Sequence, residues 1–366
     1  MNTRKRLSLA GAALWLALCL AFTLHAAAQK PAPDADVKLA ATALMTRWEE
    51  CIRGYKAELG LPLSEDDLNG SGLIGEPYTF ITTTNGALEA KRTAANPEMA
   101  ALLVEMLTEA GVKPGDTVGA GFSGSFPGLN LATLAACQAT GVHCVYIASV
   151  GASTYGANQP ELTFPDMALR LWQDGELATA PALVTPGGQD DCGCDMDQDL
   201  LEGIVNRLEA GGLTVMRQPD FEANLQARMA LYEEQGPITC FVGVGGNLTT
   251  TGPGEKDVGW GVIQPSKRMT EDKNSGLIQR YNARGLPVLH LLNVKRLVAD
   301  YGLPYDPDRY ETPGQSALYR VTAYPRLPAL AGLVGTAALL WWGFRRKKTE
   351  NAAEITAYMA HWAASG

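Results

Sequence analysis

The chain has 366 residues, 46% of them hydrophobic and 19% charged, with a formal net charge of −9. This composition belongs to a folded chain with a large core and excludes a disordered polyampholyte. Setting aside three basic residues before the first apolar run, four after the last, and Glu350 and Glu354, the remainder carries 23 basic and 37 acidic residues, a net of −14. Such a field excludes a broad nucleic-acid surface, so no nucleic-acid partner is expected.

The chain begins with Arg4, Lys5 and Arg6, an apolar run over residues 7–24, and then Ala26, Ala27, Ala28 and Gln29. A basic start, an apolar stretch and a small-residue exit form a signal peptide or an uncleaved signal anchor over residues 1–28. Residues 29–37 read as a Pro/Ala linker. Together with a helix over 38–59, which places Leu44, Trp48, Ile52 and Tyr55 on one face, they make up an N-terminal section over 29–75.

From residue 76 the pattern alternates. Short apolar runs predict strands at 78–83, 117–121, 144–149, 182–184, 214–216, 239–244 and 288–291. Amphipathic stretches predict helices from Asn96-Pro97 to 109, from about Pro127, and at 165–172, 197–210, 220–234, 275–283 and 294–301. The expected class is α/β: an open, mostly parallel sheet with helices on both faces, Rossmann-like and three-layered, over residues 76–325. A second apolar run over 327–344 has about 18 residues, or about 27 Å of helix, enough to span a bilayer core. Trp341-Trp342 stand at an interface position, and Arg345, Arg346, Lys347 and Lys348 close the run. Both basic flanks lie away from the middle, so residues 345–366 are expected as a cytoplasmic tail and 76–325 as an extracytoplasmic domain on a bacterial cytoplasmic membrane.

Ligands in open α/β sheets sit beyond the carboxyl ends of strands. Four such ends are rich in Gly and hydroxyl residues: Thr82-Thr83-Thr84-Asn85-Gly86, Gly119 to Ser125, Ser149 to Ser153, and Gly243 to Asn247. Gly lets backbone amides approach a ligand, and a following helix N-terminus favours an anion. The expected ligand set is Thr82, Thr83, Thr84, Lys91, Arg92, Ser123, Ser125, Asn130, Ser149, Ser153 and Asn247, with Lys91-Arg92 and Lys267-Arg268 as local cations. Gly119 to Gly124 spells G-x-G-x-x-G, but no acidic residue ends the next strand and no Walker lysine is present, so no nucleotide cofactor is expected.

A hydrolase alternative places Ser123 as nucleophile, His290 as base and Asp190 or Asp191 as its partner, in the chain order of α/β-hydrolases. The elbow is imperfect, because Gly121-Phe122-Ser123-Gly124 continues to Ser125 where the motif has Gly. The acidic run from Asp190 to Asp199 lacks the Gly and Glu that an EF-hand needs, and no metal is expected. Beyond the first apolar run there are six cysteines, whose pairing stays open; Cys137 and Cys144 straddle a helix-to-strand turn and could meet.

The residues over about 40–310 resemble the poly-gamma-glutamate system protein family. The resemblance is carried by Gly75-Glu76-Pro77-Tyr78 through Thr82-Thr83-Thr84, Leu88-Glu89-Ala90-Lys91-Arg92-Thr93 with Asn96-Pro97, Ser123-Gly124-Ser125-Phe126-Pro127 with Asn130, Ser149-Val150-Gly151-Ala152-Ser153, and His290-Leu291-Leu292-Asn293. Cys192-Gly193-Cys194 departs from that pattern. The resemblance implies a membrane-tethered accessory protein of bacterial poly-γ-glutamate synthesis and export, a part of capsule biosynthesis, that binds the polymer, a γ-glutamyl end or a component of the machinery. It assigns no catalytic residue. An exported serine hydrolase or peptidase acting on the polymer and a purely structural assembly partner are the alternatives.

Overall fold

A computed structural model describes residues 3–234, 236–254, 258–345 and 348–363. In chain order the elements are α1 (Thr3–His25), β1 (Ala28–Pro31), α2 (Ala35–Glu58), α3 (Leu88–Ala94), α4 (Glu98–Glu109), β2 (Thr117–Phe122), α5 (Pro127–Thr140), β3 (His143–Ser149), α6 (Phe164–Gln173), β4 (Leu183–Thr185), α7 (Gln198–Ala210), α8 (Phe221–Tyr232), β5 (Cys240–Val244), α9 (Leu248–Thr251), β6 (Gly261–Ile263), α10 (Leu277–Ala283), β7 (Val288–Leu291), α11 (Val294–Asp300), β8 (Arg320–Ala323), α12 (Arg326–Phe344) and α13 (Lys348–Ala363). They divide into two units, one made of the two chain ends and one spanning Ala32–Tyr319.

In the unit of chain ends, α1 and α12 are each long and apolar enough to cross a membrane. They run antiparallel: Ser8 Oγ donates to the Leu339 carbonyl at 2.5 Å, and Trp15 Nε1 to the Ala331 carbonyl at 2.9 Å. Gly335 and Gly343 lie where Trp15 and Ser8 come closest, so small residues let the helices meet. The antiparallel course brings Arg4 against Trp342 and Lys5 against Phe344, so the basic start of α1 lies beside the end of α12. Arg346 and Lys347 of the expected basic stop lie outside the described residues. The stretch expected as a linker contains β1, which pairs antiparallel with β8 in the register Ala28 to Ala323.

In the second unit six strands form one sheet in the order β4-β3-β2-β5-β7-β6, parallel except for β6 against β7. Side chains alternate between faces, as a pleated strand requires. Val118, Ala120, Phe122, Tyr146, Val242 and Leu289 join the larger core, with α2, α4 and α5 on that face. Ile147, Phe241 and Val288 point the other way, toward α8 and α10. Both faces are buried, which explains why these strands read as unbroken apolar runs. Full burial of Trp48 and Ile52 on α2 contributes about 1.5–3 kcal/mol for a side chain of aliphatic size, more for the indole.

Two expected strands do not form. Residues 78–83 fold into a turn in which Thr82 Oγ1 accepts the Thr79 amide at 2.8 Å, leaving only a bridge between Thr82 and Ala152. Threonine hydroxyls here take backbone groups that a strand would have used. Residues 214–216 make a single bridge, Val215 to Val184. Conversely, α3 and the antiparallel edge strand β6 are elements that periodicity did not indicate.

Candidate functional site

The chain runs outward from β2 to β3 to β4, then returns to the other side of β2 as β5 and β7. The loops after β2 and β5 therefore diverge, which opens a crevice at the topological switch point. A cavity of about 660 Å³ occupies this position. Its walls are the loops after β2, β3, β4, β5 and β7, together with the Thr-rich turn and α3.

The loop after β2 is held from within. Ser123 Oγ accepts the Ser125 amide at 3.2 Å, and Asn130 on α5 donates Nδ2 to the Ser123 carbonyl at 2.8 Å. Pro127 then starts α5 without a missing hydrogen bond. Ser149, at the end of β3, contacts the Phe122 carbonyl at 3.3 Å. The next loop over is tied to it by the Gly151 amide, which donates to Pro186 at 2.8 Å. Across the switch point Gly245 has φ +83, and a Cβ there would stand 3.2 Å from Ser123 Cβ. Glycine is favoured here by its backbone angle, and a side chain would also crowd the facing loop.

Lys91 on α3 is the charged centre of the cavity. The side chain is 4% exposed. Its Nζ meets Ser153 Oγ at 2.7 Å and the Ser125 carbonyl, and lies 3.7 Å from the Phe126 ring centre. Among the described residues no carboxylate forms an ion pair with it; the two acids of the cavity lining, Asp191 and Asp195, are bonded elsewhere. Burial alone lowers its pKa from 10.5 to about 7. An ammonium so placed lacks a counter-ion, and an incoming anion would supply one.

The expected ligand residues separate into two groups. Thr83, Thr84, Lys91, Ser123, Ser125, Ser149, Ser153 and Asn247 all line the cavity. Thr82, Arg92 and Asn130 do not, and each has a structural duty instead. Thr82 Oγ1 is taken by the Thr79 amide and by Asn158 Nδ2 at 3.0 Å. Arg92 forms a two-pronged ion pair with Asp306 at 2.7 and 2.6 Å. Neighbouring residues on a helix point about 100° apart, so Lys91 and Arg92 cannot form one clamp. Asn247 also caps α9 by accepting the Thr250 amide at 2.9 Å. The Lys267 side chain lies outside the described residues, and Arg268 is not part of the lining.

The proposed triad is not assembled. His290 sits on the face of β7 away from Leu289 and Leu291, with Nδ1 2.6 Å from the Gly259 carbonyl, and it does not line the cavity. Asp190 is exposed on a left-handed backbone and accepts from the Gln189 side chain at 3.4 Å, and Asp191 is paired with Arg228. Strand alternation turns His290 away from the edge to which its chain position brings it.

No protein-family model, curated protein or solved structure matches this chain.

The sequence did not place the loop after β4 at the ligand edge, yet Gly187, Gly188 and Asp195 line the cavity there, as does Asp191, which the triad reading offers only as a partner for His290. The Pro186-Gly187-Gly188 turn directly after a strand was the available signal. Asp191 is buried and holds this wall through Thr185 at 2.9 Å, Asn224 at 3.0 Å and Arg228 at 2.6 Å. Asp195 accepts the Gln189 amide at 2.7 Å, and Asp197 caps α7. Among the described residues no group of three or more His, Cys, Asp or Glu is placed to hold a metal ion. All seven cysteines are thiols. Cys137 and Cys144 do lie together, and a hydrogen bond between them and burial push the Cys144 thiol well up.

Proposed function

We propose that this chain is a membrane-tethered accessory protein of bacterial poly-γ-glutamate synthesis and export, and that its cavity binds a γ-glutamyl carboxylate. The observation that carries the ligand reading is Lys91, a buried amine in a wall of serines that makes no ion pair among the described residues. All five segments that carry the family resemblance supply cavity residues: Thr83 and Thr84, Lys91, Ser123 and Ser125, Ser149 and Ser153, and Leu292. A net acidic surface disfavours adsorption of a polyanion along its length, whereas a narrow cavity can take a single end group. A volume of about 660 Å³ is in the range of small-molecule sites. The strand order and the ligand edge fit a Rossmann-like, three-layer plan.

The packing of α1 against α12 favours an uncleaved signal anchor, since cleavage would remove half of that helix pair. Basic residues at the same end of both helices favour a cytoplasmic side for the tail and an extracytoplasmic side for the cavity unit. The ligand reading is tested by calorimetry of γ-glutamyl-glutamate against the full-length protein in nanodiscs at pH 6. Binding that the Lys91→Met variant loses is expected. No heat with the wild-type protein, or equal affinity in the variant, would overturn it and leave a structural assembly role.

A further inference from the structure

Ser153 and Lys91 form a pair that anion binding does not require. A carboxylate could be held by an ammonium alone, yet Lys91 Nζ is placed 2.7 Å from Ser153 Oγ, within reach for proton transfer. Its third neighbour, the Ser125 carbonyl, can only accept, so a neutral amine would donate to Ser125 and direct its lone pair at Ser153. The Ser153 backbone is fixed by its amide, which donates to Ser125 Oγ at 3.0 Å. Gly86 leaves the space that the pair occupies, because a Cβ there would stand 2.8 Å from Ser153 Oγ and 3.0 Å from Lys91 Cε. Phe126 covers one side of Nζ. Ser123 Oγ accepts the Ser125 amide, which leaves its own proton able to turn into the cavity.

We infer that Ser153 is a nucleophile with Lys91 as its general base, and that the cavity hydrolyses an amide or ester of a small polar acyl group. Lys91 takes the Ser153 hydroxyl proton as Oγ bonds to the acyl carbon. The Ser123 hydroxyl faces the developing oxyanion. As the carbon–nitrogen or carbon–oxygen bond breaks, the Lys91 ammonium returns the proton to the leaving amine or alcohol. Water then attacks the acyl-serine, Lys91 takes one proton from it, and the bond to Ser153 breaks as that proton returns to Oγ, releasing the acid. The serine hydrolase alternative thereby moves from Ser123 and His290 to Ser153 and Lys91. Burial supports the base role, since an amine near 7 is about half neutral at physiological pH. A γ-glutamyl amide as substrate rests on the function proposed above; the dyad itself does not.

The test uses a fluorophosphonate probe on the full-length protein in nanodiscs, with fragment-ion mapping to separate Ser153 from Ser123, Ser125 and Ser149. One adduct, on Ser153, is expected. Its formation rate should rise with pH through a midpoint near 7 and fall about 100-fold or more in the Lys91→Met variant. No adduct, an adduct on another serine, or a rate with no such midpoint in the wild-type protein would overturn the inference. Labelling of Ser153 that survives Lys91→Met unchanged would overturn the base role. The probe carries no γ-glutamyl group, so labelling without dipeptide binding removes the ligand reading and leaves the dyad. Dipeptide binding without labelling does the reverse.

Discussion

Replacing Lys91 with methionine should stabilise the protein below pH 7 and not above pH 10. Lowering the ammonium from 10.5 to about 7 corresponds to about 5 kcal/mol of folding free energy. The sign follows from proton counting. Between 7 and 10.5 the unfolded chain holds a proton that the folded chain has released, so wild-type stability rises with pH across that window. Below 7 both states are protonated and the whole cost of the buried charge is present. Methionine keeps most of the volume without the charge. It loses the contacts to Ser153 and the Ser125 carbonyl, worth about 1–2 kcal/mol together. A net gain of about 3 kcal/mol remains at pH 6, or about 5 °C in Tm for a unit of this size. Differential scanning fluorimetry of both proteins in nanodiscs at pH 6 and pH 10 measures it. Equal destabilisation of the variant at both values would refute a desolvated, unpaired ammonium.

Two further outcomes follow from buried charges elsewhere. Asp191→Ala leaves Arg228 buried without its partner and should cost about 3–5 kcal/mol in urea unfolding, with the wall after β4 loosened. Asn224→Ala, which removes a neutral donor from the same carboxylate, should cost less. Glu49 on α2 is buried, and desolvation raises its carboxyl well above 4.5. That penalty is absent below pH 4.5 and grows as pH rises through it, so Glu49→Gln should raise Tm at pH 7 and leave it unchanged at pH 4.

The sheet was legible because its strands are buried on both faces and stand out as short apolar runs between amphipathic helices. The run at 288–291 matches β7 residue for residue. The Thr-rich turn at 78–83 misled because β-branched residues suit strands, while their hydroxyls here close a local turn. The short helix α3 was hidden by its seven-residue length, too short for periodicity to declare itself. Most of the cavity could be read from glycine and hydroxyl residues at strand ends. What could not be read was direction. Arg92 directly follows the cavity-lining Lys91, and His290 stands two residues before the cavity-lining Leu292, yet neither lines the cavity, and only the fold fixes which way they face.

The central claim is that a protonated Lys91 receives an anionic end group. Its most direct test is the affinity of γ-glutamyl-glutamate for the full-length protein across a pH series from 6 to 8.5. With an amine near 7, affinity should fall about 30-fold over that range in the wild-type protein, and Lys91→Met should bind weakly and evenly throughout. Wild-type binding equally tight at both ends of the series would contradict the claim.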